Sequence, residues 1–132
     1  MTQDAFMSKP SAHDVSITID RLESILKEKG MGIFGGVDHA ENATKADLAM
    51  PATQVLIFGN PKMGTPLMLN TISMALDLPL KMMATEDASG QVALNWTNPQ
   101  YLKNLHKVEG CDEVFNTMSA ALEAIAAAAT AG

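Results

Sequence analysis

Thr53-Gln54-Val55-Leu56-Ile57-Phe58-Gly59-Asn60-Pro61-Lys62-Met63-Gly64-Thr65 holds the clearest strand of the chain and the turn that follows it. β-Branched and large apolar residues crowd Thr53 to Phe58, the pattern of a central strand buried on both faces. Gly59-Asn60-Pro61 breaks that run. Met63, Leu67, Thr71, Met74 and Ala75 then recur at helical spacing, with Pro66 placed in a first turn, where proline is tolerated. The segment therefore reads as strand, tight turn and helix.

Outward from this point the remaining elements fall into order. Val15, Ile19, Leu22 and Leu26 lie four, three and four residues apart, with charged residues largely between them, so the sequence predicts an amphipathic helix from about Asp14 to Lys29, ended by Gly30. Met31 to Val37 reads as a glycine-rich strand, followed by Asp38-His39 and a polar stretch of helical propensity through Asp47. Leu78 to Thr85 and Gln91 to Trp96 flank the polar connection Glu86-Asp87-Ala88-Ser89-Gly90, which predicts a hairpin. Asn98-Pro99 opens a short helix. Asp112 is read as the cap of a final helix lined by Val114, Met118, Leu122 and Ile125, whose alanine-rich end from Ala120 to Ala131 is free to fray or to pack on a partner.

The expected fold class is α+β: one compact domain with a mixed or antiparallel sheet of about four or five strands and helices on one face. Residues 1–11 form an N-terminal segment in which Asp4 to Lys9 can add an edge strand, and residues 12–132 form the domain proper. No internal repeat or linker divides the 132 residues.

Composition narrows the functional classes. Apolar residues make up 47% of the chain and charged residues 18%, as in a folded globular protein. Nine Lys and Arg against fifteen Asp and Glu give a net charge of −6 with no basic stripe, which argues against nucleic acid as a partner. The single cysteine, Cys111, precludes an internal disulfide or a cysteine-based zinc site. With no leader-like N-terminus and no stretch near the roughly 18 apolar residues of a membrane span, no membrane association and a cytoplasmic location are expected.

Several ordered blocks resemble the family known as domain of unknown function 302. They are Thr18 with Arg21-Leu22, Val37-Asp38-His39 with Ala40 and Ala43, Pro51-Ala52-Thr53, Phe58-Gly59-Asn60-Pro61-Lys62 with Gly64-Thr65, Leu76-Asp77-Leu78-Pro79-Leu80-Lys81, and Glu86-Asp87 before Gly90. Trp96 stands where relatives commonly carry Tyr, and the region from Asn104 to Lys107 lacks an expected Arg. The resemblance implies a compact α+β fold that often forms a homodimer. It does not imply an established reaction, and it leaves any cofactor unknown.

The residues that carry candidate chemistry gather at the Gly59 turn. A strand-to-helix turn directs backbone N–H groups outward, Lys62 adds a charge and Thr65 a hydroxyl, so the turn can seat a small anionic ligand such as a phosphate or carboxylate. It is not a Walker loop, because the glycine spacing and the Lys-Ser/Thr pair are wrong. His39, at the end of a predicted strand, can exchange a proton at neutral pH, although no second His or Cys is spaced to complete a metal site. Glu86 and Asp87 read as hairpin solvation, and the ten methionines as core or interface packing. Cys111 lacks an identifiable base.

Three functions follow as expectations. The first is a non-enzymatic small-ligand or sensory binding module with His39, Asn60, Lys62, Gly64 and Thr65 around a polar cleft. The second is an acid–base enzyme that uses His39 and Lys62. The third is a dimeric protein-interaction scaffold, for which an open sheet edge and a methionine-rich surface invite a homodimer.

Overall fold

The computed structural model describes residues 4–132. Five strands build one sheet in the order β1-β5-β4-β3-β2, with every neighbouring pair antiparallel: β1 (Phe6–Pro10), β2 (Gly32–Asp38), β3 (Thr53–Gly59), β4 (Leu80–Glu86) and β5 (Val92–Thr97). The helices are α1 (Val15–Glu28), α2 (His39–Lys45), α3 (Pro61–Asn70), α4 (Pro99–Leu105) and α5 (Asp112–Thr130), with a 3-10 helix at Ile72–Leu76 between α3 and β4. The sheet is therefore antiparallel rather than mixed.

One face of this sheet is dry. Leu56 and Phe58 of β3, Met82 and Ala84 of β4, and Leu94 and Trp96 of β5 are buried together with Leu22 and Leu26 of α1 and Phe115 and Leu122 of α5. Leu56, Met82 and Trp96 stand in register across three strands, which places them side by side on that face. The intervening residues Val55, Ile57 and Met83 are only half-buried. The segment Thr53 to Phe58 thus differs from its expected double burial: β3 lies one place from the sheet edge, β4 occupies the middle, and the helices cover a single face.

The outer strand β1 pairs Phe6 with Thr97 and Pro10 with Ala93. Asn98 secures its start, donating its side-chain amide to the carbonyl of Asp4 and its backbone N–H to that of Ala5. Both edges of the sheet are blunted against further pairing. Pro10 removes a donor from β1, and a bulge between Ile33 and Gly35 interrupts the β2 ladder.

The alanine-rich end of α5 is docked rather than frayed. Arg21 donates from Nε to the carbonyl of Ala129 at 3.0 Å and from a terminal guanidinium nitrogen to that of Ala128 at 2.8 Å. A cation thereby meets the negative end of the helix dipole and satisfies carbonyls that no further turn would reach. Ala126 and Ala129 are buried, and the backbone N–H of Ala12 donates to Thr130. Thr18, one turn before Arg21, shares a 2.7 Å hydrogen bond with Ser11, so the Thr18 and Arg21-Leu22 block is the clasp between α1, α5 and the end of β1. Arg21→Ala is expected to lower stability by about 1–2 kcal/mol in urea unfolding and to speed amide exchange over the last turn of α5.

Candidate functional site

At the end of β3 the chain turns into α3 through Asn60, which occupies the N-cap in extended conformation. Its side-chain oxygen accepts from the N–H of Lys62 at 3.0 Å, and its carbonyl accepts from Met63 at 2.9 Å and Gly64 at 3.0 Å. Pro61 has no N–H to offer. The donors that an anion seat would require are thus already engaged inside the turn, which is why this strand-to-helix junction is apolar in character.

A cavity of about 180 Å³ opens beside the turn, between α3, α5 and the approach to β4. Met31, Met63, Met68 and Met118 contribute to its wall along with Phe34, Leu78 and Leu122, and Asn60 and Thr65 are its side chains with hydrogen-bonding groups. Gly64 forms part of the wall from inside α3. A Cβ at that position would lie 3.6 Å from a Leu78 methyl and 4.0 Å from the Met68 methyl, ordinary contact distances, so a methyl group there would join the wall and a larger side chain would enter the space.

Of the residues singled out from the sequence, Asn60, Gly64 and Thr65 meet at this cavity. Lys62 is exposed and does not line it. His39 lies elsewhere: it is the exposed first residue of α2, preceded by Asp38, whose register partner Gln54 is five residues before Gly59 on β3. At roughly 3.4 Å per residue the two ends are about 17 Å apart. The polar cleft joining His39 to Lys62 does not form, and the acid–base pairing of those two residues loses its geometry.

Asp38 caps α2, accepting from the N–H of Glu41 at 2.9 Å. At the final helix the N-cap is Cys111, in left-handed conformation at φ 60°, while the expected cap Asp112 is the first helical residue and pairs with Lys103 at 3.1 Å. Among the described residues no group of three or more His, Cys, Asp and Glu is arranged to hold a metal ion.

A second constellation escaped the sequence reading. His106, at the end of α4, places Nε2 2.6 Å from an Asp77 carboxylate oxygen and Nδ1 2.8 Å from Ser73 Oγ. Ser73 and Asp77 belong to the 3-10 helix and its C-cap, 33 and 29 residues before His106. The sequence offered one signal, Asp77 within the Leu-Asp-Leu-Pro block, and nothing that paired it with His106. A smaller depression of about 50 Å³ borders Asp77, and Leu80 and Leu122 line both it and the larger cavity.

The fold is thus a five-stranded antiparallel α+β sheet with its helices on one side and an apolar cavity at the β3–α3 turn. The chain belongs to the family described as domain of unknown function DUF302, whose model matches residues 7–125. A crystal structure of an uncharacterized conserved DUF302 protein from Bacillus stearothermophilus is similar over 97% of both chains, with a TM-score of 0.77 and 19% identity, a likeness of fold. The chain is also 42% identical over 98 residues to fluoride-specific ion channels FluC 1 of Brucella suis and of Brucella abortus, covering 74% of this chain. It spans only 39% and 36% of the length of those relatives. No helix among the described residues is long and apolar enough to cross a membrane.

Asp87 organises the hairpin loop. Its carboxylate accepts from the hydroxyl and N–H of Ser89 and from the N–H of Gln91, and these hydrogen bonds, the Ser89 side chain first, hold its pKa below the ordinary carboxylate value. Because the folded value is depressed, the loop's stabilisation is present above the ordinary Asp range and lost as pH falls through the folded value. A carboxyl-carbon NMR titration is expected to show Asp87 titrating low, with the Ser89 and Gln91 amides exchanging faster as it protonates.

Proposed function

We propose that the domain is a binding module for a small, mainly apolar molecule held in the cavity at the Gly59 turn, with a polar group of the ligand directed to Asn60 or Thr65. The observation that supports this reading is the apolar cavity itself, with Gly64 of α3 in its wall. Cavities of about 150 Å³ lined by aliphatic and aromatic side chains stay dry and admit a benzene-sized guest, so one of about 180 Å³ suits a single ring or a short chain. Methionine walls adapt to guests of different outline.

This reading revises the ligand chemistry expected from the sequence, from a small anion to an apolar body carrying one polar group. It takes nothing from ion conduction, which belongs to the names of relatives of whose length this chain spans under two fifths.

Thermal-shift and calorimetric titration against short alkanols, phenols and the matching carboxylates tests the reading. Saturable binding to the apolar series is expected. Gly64→Ala should raise the melting temperature by removing a helix glycine, worth about 0.5–1 kcal/mol, yet weaken binding, and Gly64→Leu should abolish it. Binding unaffected by Gly64→Leu would place the ligand elsewhere.

A further inference from the structure

The cluster of Ser73, His106 and Asp77 lies outside the Gly59 turn and uses no residue that the binding reading requires. From its geometry we infer that Ser73 is an acylatable nucleophile, with His106 as its base and Asp77 as the residue that positions the imidazole, acting on carboxylic esters with an apolar acyl group.

Three observations carry this. The hydrogen bonds run Ser73 Oγ to His106 Nδ1 at 2.8 Å and His106 Nε2 to Asp77 Oδ2 at 2.6 Å, both within the reach required of a nucleophile, base and orienting group. The imidazole side chain is only 7% exposed whereas Ser73 faces solvent, so the base is shielded and the nucleophile accessible. An exposed apolar side chain shares the face of the hydroxyl: Leu76 is 83% exposed, and in a 3-10 helix residues three apart eclipse, which puts it on the side of Ser73.

The tautomer follows from the partners. With Nε2 donating to the Asp77 carboxylate, Nδ1 presents a lone pair to the Ser73 hydroxyl, which is the tautomer that the role of base requires. The ring is turned over relative to the commonest serine hydrolases, with the base at Nδ1 instead of Nε2, but the roles are the same.

In the acylation step Ser73 Oγ bonds to the ester carbonyl carbon as its proton passes to His106 Nδ1. The carbonyl electron pair moves onto oxygen and returns to break the bond to the alkoxy group, which leaves as the alcohol with the proton from Nδ1. Water then attacks acyl-Ser73, delivers a proton through Nδ1 back to Ser73 Oγ, and releases the carboxylic acid. Ester and water are the only reactants.

The test is covalent labelling of the full chain with an alkyl fluorophosphonate, located by peptide mass mapping, together with p-nitrophenyl butyrate hydrolysis. Labelling at Ser73 is expected, absent in Ser73→Ala, and slowed roughly 100-fold in His106→Gln, the scale of general-base assistance. Asp77→Asn should slow it roughly 10-fold with an unchanged melting temperature, and Asp77→Glu should restore part of the rate, a pattern that a merely structural contact would not produce. If His106→Gln fails to fold, the Asp77 pair and Ser73→Ala decide the matter. No adduct at Ser73 in the unaltered protein, or labelling at the same rate in Asp77→Asn, would overturn the inference.

Discussion

Asn60 closes the β3–α3 junction on itself, its side-chain oxygen bound to the N–H of Lys62 and its carbonyl to those of Met63 and Gly64. That closure sets the direction in which α3 leaves the sheet, and the direction of α3 decides what faces α5. Because the turn satisfies its own donors, the space between α3 and α5 can be lined with thioethers and methyl groups without stranding a polar atom. The cavity and the absence of an open anion seat thus share one cause.

The second constraint fastens each end of the described chain to the body of the domain. Arg21 holds the last carbonyls of α5, while Asn98 holds the carbonyl of Asp4 and the N–H that pairs with Ala5 lies on the same residue. These contacts convert an alanine-rich helix, poor in area to bury, into one side of the core. The same helix carries Met118 and Leu122, which form the far wall of the cavity. Leu80 and Leu122 line both the cavity and the depression at Asp77, so the apolar recess and the Ser73 cluster are built on a common partition.

Much of the framework was legible in the residues. The helix from Asp14 to Lys29 matches α1 with Asp14 as N-cap and Lys29 as C-cap, and the hairpin around Asp87 lies where its polar loop indicated. Asn60, Gly64 and Thr65, singled out from the turn, all line the cavity. The chemistry of their surroundings was not legible, because a Gly-Asn-Pro-Lys turn looks equally suited to an anion until the hydrogen-bond partner of each N–H is known. His39 failed for a related reason: proximity to a strand end carries no information on which end of the sheet that is, and the antiparallel β2–β3 register sends it away from Gly59.

The order and type of elements follow from periodicity, capping residues and turn chemistry, all of which act over a few residues and are written locally in the chain. So does membership of its family, through blocks at fixed spacing. Strand order, the single dry face, the shape of the cavity and the meeting of Ser73 and Asp77 with His106 required the tertiary structure. They depend on contacts between residues tens of positions apart, for which local sequence pattern holds no counterpart.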